Sequence, residues 1–206
     1  MKEIPLLILL ALALSLCRLT DSLTGKKSGL SNSESGSAAG SEPVERPSPT
    51  EGQRRALEGG QTVTWDQQGI TWTLPKGWNR MTVESKQFNY GAPGNTAFLI
   101  ASISPMDENF PTEISLKAFY DGANTRRKNG EVDELRYLEL DGLKGVSFRE
   151  ANPEQPDGIR RLQWIAYRKY AGQTQMLNFI LSSSGKNFPA RQDDLYAILY
   201  STRLAK

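Results

Sequence analysis

Hydrophobic and polar positions divide this 206-residue chain into three unlike stretches. Ile4 to Leu16 is a run of thirteen residues built from Leu, Ile, Ala, Ser and one Pro. Residues 18–60 are mostly small and polar, and no Phe, Trp or Tyr occurs before Trp65. From Gln61 onward the apolar positions become periodic. TVTWDQQGITWTLP alternates Val63 and Trp65, then Ile70, Trp72 and Leu74, around Gly69, which predicts two short strands. Pro75-Lys76-Gly77-Trp78 ends the second, because proline cannot extend a ladder and glycine accepts positive φ.

TAFLIASIS predicts a further strand, and its nearly continuous apolar character predicts burial on both faces. Pro111-Thr112 opens a helix in which Thr112 is the expected cap, and Glu113 suits the positive end of the dipole. Leu116, Phe119, Tyr120 and Ala123 recur there at helical spacing, with Arg126, Arg127 and Lys128 near the end beside Asn129-Gly130. ELRYLELDGLKGVSFRE predicts a hairpin turning at Asp141-Gly142. IRRLQWIAYRKYAGQTQMLNFILSS predicts a longer one turning near Ala171-Gly172, with Leu162, Trp164 and Ala166 on one face and Leu177, Phe179 and Leu181 opposite. Leu195, Ile198 and Leu199 place a last helix between Asp193 and Leu204. Strands, helix, antiparallel meander and terminal helix make an α+β domain with helices packed on an antiparallel sheet. No internal repeat at a fixed period interrupts this order.

Charge and composition narrow the function classes. The formal net charge is only +2, with both signs interspersed, so no field points to nucleic acid. Histidine is absent, which removes the commonest general base and metal ligand and every Ser-His or Cys-His pair. A single cysteine permits neither an intrachain disulfide nor a thiolate cluster. No catalytic residue, metal ligand or cofactor-binding set is assigned.

The N-terminal run is shorter than the about 20 apolar residues of a membrane-spanning helix, and Arg18 interrupts it. It has the length of a secretory h-region, with Lys2 and the free amine as the positive n-region, opposed by Glu3. Leu14-Ser15-Leu16-Cys17 resembles a bacterial lipobox. Leu14, Ser15 and Cys17 match; Leu16 stands where that family usually has Gly, Ala or Ser. The resemblance implies a signal peptide over 1–16 and a diacylglycerol on Cys17, which becomes the first mature residue. Ordinary cleavage near Ala11 and Ala13 or after Cys17, and an uncleaved anchor, are the alternatives. Residues 17–60, rich in Ser, Gly and Pro, then read as a disordered tether, because without bulky apolar groups they cannot offset the entropy of ordering a backbone. Its flexible span would be roughly 35–40 Å.

Residues 61–206 carry a second resemblance. Gly69-Ile70-x-Trp72-x-Leu74-Pro75-x-Gly77-Trp78 looks like the entry motif of PsbP-like domains. Leu140-Asp141-Gly142 and a final helix running into Leu199-Tyr200-Ser201 are similar to later landmarks of that family. The resemblance implies an α/β/α sandwich around an antiparallel sheet. It implies no shared catalytic residues, since such domains serve as photosystem subunits, small-GTPase binders and envelope lipoproteins.

Several sets of residues are candidate sites. Arg126-Arg127-Lys128, Arg160-Arg161 and Arg168-Lys169 together could form an anion-binding face, against the simpler reading of solvated charge. Glu131, Asp133 and Glu134 lack the spacing and glycine of a calcium loop. Ser182-Ser183-Ser184-Gly185-Lys186 lacks the first glycine of a phosphate loop and reads as a turn. Trp65, Trp72, Trp78 and Trp164 read as core rather than groove. The expectation is a non-enzymatic envelope lipoprotein, lipid-anchored with a periplasmic domain that binds a protein partner or supports assembly. A periplasmic small-ligand module is the alternative, and a histidine-free hydrolase-type enzyme the third reading.

Overall fold

The computed structural model describes residues 42–205. Cys17, the leader 1–16 and the spacer as far as residue 41 lie outside the described residues. Residues 42–60, expected to be spacer, instead carry a two-residue strand β1 (Val44–Glu45) and a helix α1 (Glu51–Ala56). Thr50 accepts the Gln53 amide while the Gln53 side chain accepts the Thr50 amide, a reciprocal capping box that sets where α1 starts. Glu51 in the first turn and Arg54 and Arg55 in the last suit the helix dipole. Composition misses these elements because neither has an apolar stripe. So short a helix persists through its cap and its tertiary contacts rather than through propensity. The folded domain therefore includes residues before the expected boundary at Gln61.

Antiparallel strands β2 (Gln61–Trp65) and β3 (Ile70–Leu74) meet around Gly69, which adopts the left-handed conformation the turn requires. Next come β4 (Asn79–Val83) and β5 (Gln87–Gly91), an edge pair with few apolar residues and hence no legible alternation. They are followed by β6 (Ala97–Met106), α2 (Thr112–Lys128), β7 (Val132–Leu140), β8 (Leu143–Glu150), β9 (Ile159–Tyr170) and β10 (Gln173–Ser184). The chain closes with α3 (Phe188–Tyr200) and β11 (Arg203–Leu204). Both expected hairpins turn where predicted, with Asp141-Gly142 at φ 48° and 86° and Ala171-Gly172 at φ 50° and 77°.

Three expectations are corrected. In β6 only Ala97, Leu99, Ala101 and Ile103 are buried, and the alternate residues face outward, so the strand is buried on one face. Thr112 lies inside α2, whose cap position is Pro111 with no side-chain capping bond. The last helix begins at Phe188 rather than Asp193, with Pro189 in its first turn where a missing amide costs nothing. It stops at Tyr200, and the chain re-enters a sheet as β11.

The large sheet has the order β1-β7-β8-β9-β10-β6-β5-β4, antiparallel except where β1 joins β7 in parallel. α2 covers one face, over β7, β8 and β9. On the other face lie α3 and the small sheet β11-β3-β2, with the main core between the layers. The four tryptophans are core, as read: Trp65, Trp72 and Trp164 are fully buried and Trp78 is 2% exposed. Trp72 meets Phe88 at 4.9 Å and Phe179 at 5.2 Å between centroids, and Trp164 meets Phe179 at 5.2 Å. Each such pair contributes about 0.5–1.5 kcal/mol beyond its burial. The Trp164 indole donates to Leu138 O at 3.0 Å and fills the space left by Gly145 on β8.

A methyl group at Gly145 would lie 2.5 Å from the Trp164 ring and 2.7 Å from Ile165 O. Gly145→Ala should therefore lower the urea midpoint, by about 1–3 kcal/mol of stability. Ala171 holds a positive φ of 50° with no compensating side-chain bond among the described residues, so Ala171→Asn should raise that midpoint, by up to about 1 kcal/mol.

Candidate functional site

The basic sets singled out in the sequence do not converge on an open anion-binding face. Arg126 sits between Glu131 and Glu150 at 3.3 and 3.2 Å, with its guanidinium over Phe148. Arg161 meets Glu150 at 3.1 Å. Arg160 is buried over Phe188, donating to Asp133 Oδ2 at 2.5 Å and Glu150 O at 2.8 Å. Arg168 is buried over the Tyr170 ring, donating to Gln68 O at 2.6 Å and Gln175 Oε1 at 3.2 Å. Glu131, Asp133 and Glu134 are spent on these and neighbouring arginines. Among the described residues, no group of three or more acidic or sulfur side chains is placed to hold a metal ion. Ser182–Ser184 end β10, where Ser183 Oγ donates to Thr96 O at 2.7 Å, and Gly185-Lys186 form the turn that follows.

A polar network that the sequence does not announce joins the β1 edge of the sheet to α3. Arg136 donates to Glu45 at 3.2 Å and to the Tyr200 hydroxyl at 2.6 Å, and pairs with Glu134 at 2.9 Å. The Tyr196 hydroxyl donates to Glu134 Oε2 at 2.5 Å and accepts from Arg149 Nη1 at 3.2 Å. Arg149 in turn donates to Asp133 at 2.7 Å. Burial, reinforced by the Glu134 charge and hydrogen bond, pushes the Tyr196 phenol well above its ordinary value. Burial likewise raises Tyr200, against the opposing pull of Arg136. Both phenols keep their protons at neutral pH and join β1, β7 and β8 to α3 through hydrogen bonds.

On the opposite face, α2 leaves half of the sheet open. Register places Phe148, Gln163, Ile180, Ile100 and Asn89 in one row across β8, β9, β10, β6 and β5. Phe148 belongs to the cluster beneath α2, whereas Ile100 is 38% exposed. Parallel to it run Ile165, Asn178, Ser102 and Gln87, with Gln163 donating to Asn178 at 2.7 Å. Phe98 and Ser182 form a third row. The open strip thus has an apolar centre, Ile100, Ile180 and Phe98, bordered by amides and hydroxyls. Sequence periodicity marks the outward residues of β10, through the inward set Leu177, Phe179 and Leu181, but not those of β6, which reads as buried on both faces. Whether a helix covers them depends on where α2 lies.

At the far layer two adjoining cavities share Pro49, Tyr200 and Arg203. One, of about 550 Å³, opens beside Arg46, Glu139 and Asp141. There Arg46 pairs with Glu139 at 3.0 Å, and Asp141 accepts the Leu204 amide at 2.8 Å. The other, of about 460 Å³, lies between α1, the C-terminal end of α3 and the β2–β3 pair. Its polar lining includes Arg54, Arg203, Thr62, Thr71 and Thr73, and Leu57 and Ala197 supply apolar wall.

No protein-family model matches the chain, and no curated protein matches it. Solved structures do. LpqN, involved in cell envelope biogenesis of Mycobacterium tuberculosis, aligns with a TM-score of 0.53 at 11% identity, over 71% of this chain and 86% of that one. The chain shares the LpqN fold. Cyanobacterial PsbP from Synechocystis sp. PCC 6803 aligns with a TM-score of 0.45 at 13% identity, over 70% of this chain and 92% of that one. The Ran-binding protein Mog1p of Saccharomyces cerevisiae gives 0.42 at 11% identity, over 70% and 95%. The sheet between helical layers implied by the PsbP-like resemblance is present, with the small sheet β11-β3-β2 added to the α3 layer.

The raised Tyr196 phenol has a measurable consequence. The folded state holds this proton more tightly than the unfolded chain, whose tyrosine titrates near the ordinary 10.0. The stability linked to it is complete below that pH and declines as pH rises beyond it. Tyr196→Phe should flatten that alkaline decline in urea titrations, and should cost about 0.5–1.5 kcal/mol at pH 7 for the lost hydrogen bonds.

Proposed function

We propose that this chain is a non-enzymatic envelope lipoprotein, exported and held at a membrane by acylated Cys17. Its periplasmic domain binds a protein partner through the open half of the large sheet. The observation that carries the reading is the strip centred on Ile100, Ile180 and Phe98, which α2 leaves uncovered. Strands lie about 4.8 Å apart, so β5, β6 and β10 span about 10 Å between outer strand axes. That matches the about 10–12 Å diameter of one helix with its side chains. The occupant that fits is an amphipathic helix of the partner, lying beside α2. Its apolar stripe would cover the isoleucines, and its polar flanks would meet Gln163, Asn178 and Gln87.

An anchor suits such a role. Each buried methylene of an acyl chain contributes about 0.8 kcal/mol, so two chains hold a protein durably at a bilayer. Among the described residues no helix is long and apolar enough to cross a membrane. LpqN, whose fold this chain shares, is itself involved in cell envelope biogenesis, in keeping with the proposed compartment.

Two measurements test the proposal. Mass spectrometry of the mature N-terminus should find a diacylglycerol on Cys17 that is lost in Cys17→Ala; an unmodified wild-type N-terminus would overturn the anchor. A photo-crosslinker at Ser102 in intact cells should capture a partner through a helical segment. Adding Ile100→Glu should cut that yield at least tenfold without shifting the melting temperature. Equal yield with Glu at position 100 would overturn the binding surface.

A further inference from the structure

The cavity between α1, α3 and the β2–β3 pair differs from its neighbour in one respect. Its charged lining residues, Arg54 and Arg203, are both cations. Among the described residues neither pairs with a carboxylate. Arg54 gives one N–H to Pro49 O and Arg203 one to Thr202 O at 2.9 Å. A guanidinium has five N–H donors in a planar fork that matches a carboxylate, so each retains donors for a ligand. The adjoining cavity shares Arg203 and adds Arg46, Glu139 and Asp141, so two cations there accompany two carboxylates, whereas no carboxylate lines the cavity of Arg54.

The remaining walls say what an anion must carry. Leu57 and Ala197 offer apolar surface, and Thr62, Thr71 and Thr73 line the strand side. A volume of about 460 Å³ lies within the about 300–1,000 Å³ of small-molecule sites, far more than a bare inorganic ion needs. The walls are also held in place. The capping box of Thr50 and Gln53 fixes α1, and Ser201 Oγ accepts the Thr73 amide at 2.9 Å, tying α3 to β3. Gly52 lets α1 approach α3 closely, since a Cβ there would collide with the Asp193 carboxylate.

We infer that this cavity binds a small organic carboxylate with a short apolar stem, its head between Arg54 and Arg203 and its stem against Leu57 and Ala197. The site lies in the α3 layer, opposite the open strip beside α2, so it can stand or fall independently of partner binding. The test is two-dimensional NMR titration of the domain with hexanoate, hexylamine and inorganic phosphate. Hexanoate should shift the amides of Leu57, Thr71, Thr73 and Ser201 saturably. Hexylamine should not, and phosphate should bind at least tenfold more weakly. The double variant Arg54→Gln, Arg203→Gln should weaken hexanoate at least tenfold while its spectrum stays folded, and Arg203→Lys alone, which keeps the charge but loses the fork, should weaken it less than the double variant. Equal binding of hexylamine or phosphate, unchanged affinity in the double variant, or shifts confined to other surfaces would each overturn the inference.

Discussion

The seating of Trp164 over Gly145 is the contact on which the rest of the domain rests. The indole enters the main core from β9, and its ring edge occupies the volume that a side chain on β8 would take. Its N–H reaches past β8 to Leu138 O on β7. One side chain thus ties three strands laterally and presents an aromatic surface to Phe179 on β10. Phe179 then meets Trp72 of the small sheet, and Trp72 meets Phe88 of β5. The aromatic chain runs from the middle of the large sheet to its β5 side through the opposing layer. This is why the two sheets form a single core although no backbone ladder joins them.

The polar network beneath α3 completes that arrangement at the β7 end of the sheet, beyond the reach of the Trp164–Phe179–Trp72–Phe88 chain. Three arginines on β7, β8 and β9 meet carboxylates on β1 and β7, with the Tyr196 and Tyr200 hydroxyls between them. Such half-buried ion pairs add modest net energy, because desolvation offsets much of their attraction. Their weight lies in direction: hydrogen bonds to Tyr196 and Tyr200 fix the rotation of α3 about its axis. The position of α3 in turn sets one wall of the cavity that holds Arg203. The network therefore acts on the cavity indirectly, through a helix.

The asymmetry of the two faces has a related origin. α3 and the small sheet cover one side of the large sheet broadly, while α2 alone covers part of the other. A single helix is about as wide as two to three strand spacings. An eight-stranded sheet with one helix on a face must therefore leave strands uncovered; α2 lies over β7, β8 and β9, and the open strip falls on β10, β6 and β5.

Strong local patterns were legible in the sequence. Alternation placed Leu162, Trp164 and Ala166 against Leu177, Phe179 and Leu181, and the Asp141-Gly142 and Ala171-Gly172 turns lie where hairpin chemistry put them. Period two also identified the tryptophans as core, since each falls on an inward position of its strand or turn. The polar edge strands β4 and β5, the capped turn of α1 and the two-residue β1 left no such mark, because their stability comes from neighbours rather than from their own periodicity. The arginine runs are neither an anion-binding face nor simply solvated: a sequence displays charge but not the carboxylate that will meet it, and Arg126, Arg160 and Arg161 each find one from another element. By itself the sequence determined the class of fold, the inward faces and the turns, all properties of residues near one another along the chain. Only the tertiary structure decided which charges are neutralised, which half of the sheet stays open and that Arg54 and Arg203 line one cavity. Those depend on distances between elements, and no local period encodes them.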